Sequence, residues 1–498
     1  MKISKHKQVW FIAGSQHLYG PETLEKVAAN ARELTKTLDG HGAIPITIQF
    51  KLVVTNAEEI TEIFRKANND LDCIGVVTWM HTFSPAKMWI NGLNLLSKPL
   101  AHLHTQFNQQ IPWSEIDMDF MNLNQSAHGD REFGHLLSRM RKHRKVIVGH
   151  WKSDSVISQL NSWMRAALGW HTMQGMKVAR IGDNMRGVAV SEGDKVEAEI
   201  KFGFSVNGYG VGDLVRVIQG VNDQQVAKLI EQYTDEYVLS EEVLKSNSLK
   251  ESARIELGLR AFMTGGGYDA FTTTFEDLHG LTQLPGISVQ RMMADGYGFG
   301  AEGDWKTAAL LHLVKVMDEG LVGGTSFMED YTYHFQDNHS MVLGAHMLEI
   351  CPSIAAGKPK CEVHPLSIGG KNAPVRLIFE VDAGPAINVS LVDLGNRFRM
   401  VANKVQVVSP EMEIPKLPVA RVLWEPMPNL EISAHSWLLA GGAHHTVFSK
   451  AISMEMIEDF AEIAGIELLV IDEHTNIQDF KHKIHWNEAY YQLFQNNL

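Results

Sequence analysis

Five stretches of this sequence set titratable or hydrogen-bonding side chains where they could do chemistry. In Tyr297-Gly298-Phe299-Gly300-Ala301-Glu302-Gly303-Asp304-Trp305-Lys306 one carboxylate, Glu302, stands among glycines just ahead of a helix start. The helix dipole there favours an ionised acid, and the glycines allow close backbone approach. Residues 325–335 form an aromatic-rich, strand-like run with adjacent Glu329 and Asp330. Neighbours on a strand face opposite sides, so one of these two carboxylates points into any given pocket and the other is solvated or salt-bridged, with Asp330 the candidate for that second part. His346 lies alone in the apolar stretch 342–350, and His444-His445 follows Gly441-Gly442, where again only one ring of the pair faces a given ligand. Gly14-Ser15-Gln16-His17-Leu18-Tyr19-Gly20-Pro21, after the first strand, departs from the G-x-G-x-x-G dinucleotide pattern, and its Gln16 and His17 suit hydroxyl recognition rather than phosphate.

Each stretch alone has a plain structural reading: a loop glutamate, a satisfied core histidine, a turn that needs glycine. Their combination is more specific. Two carboxylates and two imidazoles make a nitrogen and oxygen donor set that favours Mn²⁺, Fe²⁺, Co²⁺ or Zn²⁺ over soft-metal chemistry; its softness suits Mn²⁺, and it leaves room for substrate oxygens. The inventory agrees, with 23 histidines and 58 acidic residues against three cysteines. The spacings of 27, 17 and 99 residues between Glu302, Glu329, His346 and His445 match no local metal signature.

The elements that would hold these side chains follow from periodicity. Residues 9–13, 46–54, 73–79, 99–104 and 145–150 read as strands, alternating with helical patterns at 21–38, 57–68, 84–96 and 131–143. That alternation predicts βαβ units around a parallel sheet in a first domain, 1–175. A second α/β domain, 176–325, runs from a strand at 177–181 and the loop Asp183-Asn184-Met185-Arg186 to a helix at about 305–321 with Asp304 as its N-cap. Between them lie helical patterns at 223–233 and 252–262 and a strand at 270–274. Beyond it, 375–381, 386–394 and 398–408 alternate apolar and polar residues as half-buried antiparallel strands do. Prolines at 410, 415, 418, 426 and 428 argue against a central strand within 410–428. A helix at 454–464 and a strand at 467–471 complete a third domain, 326–498. The expected fold class is α/β: two N-terminal doubly wound parallel-sheet domains and a mostly antiparallel β C-terminal domain.

Bulk properties limit the partners. A chain of 498 residues outgrows a single core. A net charge of −13 repels phosphate backbones and anionic bilayers, so neither nucleic acid nor membrane is an expected partner. The apolar run 9–13 is too short for a signal-peptide core, and Cys73, Cys351 and Cys361 are too scattered for a disulfide framework, which together predict a cytoplasmic protein.

Taken in order, the Gly14 to Pro21 loop, His81-Thr82-Phe83-Ser84-Pro85-Ala86-Lys87-Met88-Trp89, Asp117-Met118-Asp119-Phe120-Met121-Asn122-Leu123-Asn124-Gln125, residues 272–280 and the four later stretches resemble the L-arabinose isomerase family. The likeness runs from about residue 8 to the C-terminus. It implies an aldose–ketose isomerase converting L-arabinose to L-ribulose, and D-galactose to D-tagatose, through a cis-enediol. It also implies one Mn²⁺ per subunit held by Glu302, Glu329, His346 and His445, with His444 a non-ligating neighbour. Glu302 and Glu329 would double as the acid/base pair, while Gln16, Leu18, His128, Met185, Phe275 and Ile368 match positions lining the sugar pocket. Family members form a homohexamer, a dimer of trimers, in which the N-terminal domain of one subunit covers its neighbour's site; Gln16 and His128 would then act across an interface. A related enzyme such as L-fucose isomerase would use similar ligands, and a hydride shift could replace the enediol. A non-catalytic sugar-binding protein would need amides and aromatics but not two carboxylates with two histidines.

Overall fold

The computed structural model describes residues 6–336, 339–366 and 370–494. The chain divides into two compact units, Met1–His171 with Glu455–Gly465, and Thr172–Met454 with Ile466–Leu498. The first is built on a five-stranded parallel sheet in the order Thr47–Val54, Gln8–Gly14, Cys73–Met80, Leu100–His104, Lys145–Val148. Cys73–Met80 is buried at every residue, which is why its sequence is an apolar run broken only by Thr78. Because the first strand lies between the second and third, the winding reverses beside it, and the loop from Gly14 opens at the sheet edge where such folds bind ligands. Helix Gly20–Asp39 follows, turning Val27, Ala31, Leu34 and Leu38 onto the sheet.

One helical reading changes in this unit, and one helix has no counterpart in the sequence pattern. The pattern at 84–96 is a 3₁₀ turn, Ala86–Trp89, running into a short helix, Ile90–Leu95, since Pro85 holds the chain extended before it. Helix Asp154–Met173 had no visible stripe because it is buried around most of its circumference, from Ser162 to Gly169 without a break. Glu455–Gly465, which takes in all but the first residue of the helix Met454–Ala464, also belongs to this unit, where Lys145 pairs with Glu455 and Asp459 at 2.8 Å each.

The second unit combines a parallel sheet with a β-barrel. The sheet runs Gly298–Gly300, Ala270–Thr273, Lys177–Ile181, Ser205–Tyr209. The barrel strands pair in the order Gly384–Asp393, His445–Ser449, Thr325–His334, Met341–Ala345, Arg421–Pro426, Phe398–Val408. Phe398–Val408 pairs back onto Gly384–Asp393, so the antiparallel ring closes and leaves no free edge among these strands; Glu467–Ile471 adds to it in parallel. Val342, Val405, Val407, Val422, Trp424 and Phe448 pack in one buried cluster. The fold class read from the sequence is the one observed. The expectation for 410–428 is overturned: Arg421–Pro426 is paired on both sides. Prolines 410, 415 and 418 precede that strand and Pro426 ends it, so none removes a donor from its middle. No helix among the described residues is long and apolar enough to cross a membrane.

Gly344 tests how tightly the barrel is packed, because a Cβ added there would fall 1.9 Å from the Trp424 ring. Gly344→Ala is expected to cost about 1–3 kcal/mol and lower the thermal midpoint followed by circular dichroism; an unchanged midpoint would contradict this packing.

Candidate active site

Strand Thr325–His334 runs antiparallel between His445–Ser449 and Met341–Ala345, in a register that puts Glu329 opposite both His445 and Ala345. His346 follows Ala345, so Glu329 has a histidine on either side. Glu302 comes from the parallel sheet, between Gly298–Gly300 and helix Trp305–Met317. Its backbone is left-handed, φ 59°, which is uncommon for a residue with a Cβ. Gly303 continues the turn at φ 81°, and a Cβ there would lie 2.5 Å from the Asn184 Cα, so only glycine fits.

The structure therefore sets Glu329 beside His346, and Glu302 beside His444 and His445, with the His346 and His445 ring centroids 6.2 Å apart. Glu329 Oε2 lies 3.8 Å from His346 Nε2, and Glu302 Oε2 lies 3.8 Å from Nε2 of both His444 and His445. Phe327 packs against His346 and His445 with ring centroids 5.1 Å from each. Both of those histidines are buried, and their Nε2 atoms have no hydrogen-bond partner. Their Nδ1 atoms are engaged: His346 Nδ1 with Glu349 Oε2 at 2.5 Å, and His445 Nδ1 with Asp304 Oδ2 at 3.2 Å. A carboxylate on one ring nitrogen fixes the tautomer and leaves the other nitrogen's lone pair free, the usual arrangement behind a metal-binding histidine. Distances of 3.8 Å are too long for hydrogen bonds yet short enough for both atoms to reach one cation. The donors present thus fit a divalent ion. Among the described residues the group whose ligand atoms all lie within 4.8 Å of one another is Glu302, His444 and His445, so distance alone favours His444 over Glu329 and His346.

The charges are mutually supporting. The His444 ring, with His445 and His346 adding, holds the Glu302 carboxyl below its ordinary range against the effect of burial. Glu302 in turn raises His444. Burial would lower His346, but Glu349, Glu329 and Glu302 carry it upward. Asp304 is buried, yet Lys306 and His445 keep it strongly acidic; it also caps the following helix, accepting from Thr307 N–H at 3.3 Å. Its role as N-cap was legible, and its hold on His445 was not. Glu349 was missed as well, although an acid three residues past His346 was a usable signal.

Other expected positions separate by unit. Met185 donates its backbone N–H to the Glu302 carbonyl at 3.0 Å. Phe275 lines a cavity of about 30 Å³ with Leu278, Leu284, Glu302, His346 and Leu366. Ile368 lies outside the described residues. Gln16, Leu18 and His128 belong to the first unit; Leu18 is 85% exposed, and His128 packs 4.6 Å from Phe83. Asp330 is partly exposed, as a solvated neighbour would be, and forms no salt bridge among the described residues, but its Oδ1 is buried without a partner.

Family models for the N-terminal, central and C-terminal domains of L-arabinose isomerase match residues 3–175, 177–320 and 324–467. The chain belongs to the L-arabinose isomerase family. Proteins named L-arabinose isomerase from Flavobacterium johnsoniae and Koribacter versatilis are 61% and 60% identical over 99% and 98% of both chains. One from Geobacillus stearothermophilus is 57% identical over 97% of this chain and 98% of its own. The segment matching the L-arabinose isomerase central domain carries Glu302, and the one matching the C-terminal domain carries Glu329, His346 and His445.

Burial, with Glu329 adding, pushes the Asp330 carboxyl up from 3.8 to about 7. A carboxyl raised in the folded state binds its proton more tightly there than in the unfolded chain, so this group destabilises the fold progressively as pH rises through that window. Asp330→Asn is accordingly expected to raise the thermal midpoint of metal-free protein more at about pH 8 than at about pH 5. An equal shift at both would show that Asp330 titrates normally.

Proposed function

We propose that this chain is an aldose–ketose isomerase that converts L-arabinose to L-ribulose, and also D-galactose to D-tagatose, at a Mn²⁺ centre built from Glu302, Glu329, His346 and His445. The observation that carries the reading is the pair of buried, partnerless Nε2 atoms facing two carboxylates, in a member of this family. His444 is the non-ligating neighbour in this reading; its 38% side-chain exposure, against none for His445, supports that assignment over the competing set with Glu302 and His445.

When bound, the cation would polarise the sugar carbonyl and stabilise charge developing at the adjacent oxygens. The side chains do the rest. Glu302, held ionised by its histidine neighbours, accepts the proton from the carbon beside the carbonyl and returns it to the former carbonyl carbon, while Glu329 moves the hydroxyl proton between the two adjacent oxygens, which takes the sugar through a cis-enediol. Phe275, which lines the cavity beside Glu302, would close its apolar side and limit water, with Met185 the second residue of that side in this reading. Gln16, Leu18 and His128 would reach a neighbouring subunit's site in a dimer of trimers; the exposure of Leu18 supports that use. Three buried cysteines without disulfides support a reducing, cytoplasmic setting.

A ketose assay on L-arabinose with and without EDTA tests the reading. Product should form with Mn²⁺ and cease with chelator, and Glu302→Gln and Glu329→Gln should each lose at least about 10³-fold in kcat. His444→Ala should keep its Mn²⁺ while His445→Ala loses it. Sugar binding without turnover in added Mn²⁺ would leave only a binding protein, and equal metal loss from both histidine variants would move His444 into the ligand set.

A further inference from the structure

Glu302 reaches its histidine neighbours from a left-handed backbone, a conformation that persists only where surrounding structure enforces it. Two hydrogen bonds from one loop do so. Met185 N–H donates to the Glu302 carbonyl at 3.0 Å, and the buried Asn184 Nδ2 donates to the Gly303 carbonyl at 3.1 Å. The loop is itself anchored by Arg186. Its backbone N–H and one guanidinium nitrogen donate to Glu276 Oε2 at 2.9 and 2.8 Å, and the other guanidinium nitrogen donates to Asp277 Oδ1 at 2.6 Å. The second Asp277 oxygen accepts from Asp183 N–H at 2.8 Å. One arginine thus ties the loop carrying Met185 to the turn that follows Phe275.

Arg186 contributes nothing to a core, its side chain being 68% exposed. Exposed ion pairs add little to global stability, but a planar fork spanning two carboxylates fixes geometry that a point charge does not. We propose that Arg186 is a positioning residue for the isomerase: by bridging Glu276 and Asp277 it sets the 183–186 loop where Met185 and Asn184 hold Glu302 left-handed, with its carboxylate toward His445. This role rests on the reading of Glu302 as a ligand and acid/base group.

The test compares wild type, Arg186→Met and Arg186→Lys in three measurements: thermal midpoint, Mn²⁺ affinity of chelator-stripped protein by calorimetry, and steady-state kinetics on L-arabinose. For Arg186→Met the midpoint should stay within about 2 °C, consistent with an exposed pair. Its Mn²⁺ affinity should fall about 10-fold and kcat about 10- to 100-fold, with KM moving less, because a misplaced catalytic group costs mainly the chemical step. Arg186→Lys should recover part of both losses, since an ammonium satisfies one carboxylate but not the fork. Unchanged Mn²⁺ affinity and kcat in Arg186→Met would overturn the role. So would losses that track a large fall in midpoint, which would make Arg186 merely structural. Wild-type protein that neither binds Mn²⁺ nor forms ketose would overturn the functional reading itself.

Discussion

A buried imidazole nitrogen without a partner costs roughly 1–3 kcal/mol, and this fold leaves two of them, His346 facing Glu329 and His445 facing Glu302. Neither ring is free to turn and seek a partner elsewhere. Glu349 and Asp304 grip the opposite nitrogens, and Phe327 packs against both rings. A structure that suppresses every other solution for these lone pairs is preorganised for an electrophile placed between them.

Much of the second unit serves that constraint. The closed barrel fixes the Glu329 strand between the strands that deliver the two histidines, so neither can slip without breaking its hydrogen-bond ladder. Glu302 arrives from the parallel sheet instead. Helix Trp305–Met317, buried along nearly its whole length, joins that sheet to the barrel, and Asp304 at its start both caps it and holds His445. The centre therefore forms only when the two sheets have docked. The left-handed turn at Glu302 is the strained piece of this arrangement, tolerated because neighbouring backbone overdetermines it.

How much of this was readable beforehand depended on whether the signal was local. Short β-rich runs such as Phe398–Val408 and Glu467–Ile471 show their bounds directly in sequence. Helix Asp154–Met173 did not, because a helix buried on most sides has no polar face to set its period. The proline-rich stretch misled in the opposite sense, since proline position relative to Arg421–Pro426, rather than proline number, decides whether a strand survives. At the site, residue types and the opposite facing of Glu329 and Asp330 could be reasoned from local geometry. Their meeting with Glu302 and His445 could not, because it depends on barrel closure across more than a hundred residues; only family resemblance supplied it. Asp304 and Glu349 escaped because a helix cap and an acid in an apolar run each have a sufficient local explanation.

The claim that one divalent cation is shared by the four side chains is most directly tested by crystals soaked in Mn²⁺ and measured on either side of the manganese absorption edge. A single anomalous peak should appear within bonding reach of Glu302, Glu329, His346 Nε2 and His445 Nε2. A peak bound by Glu302, His444 and His445 without Glu329 or His346, or no peak at this centre, would contradict it.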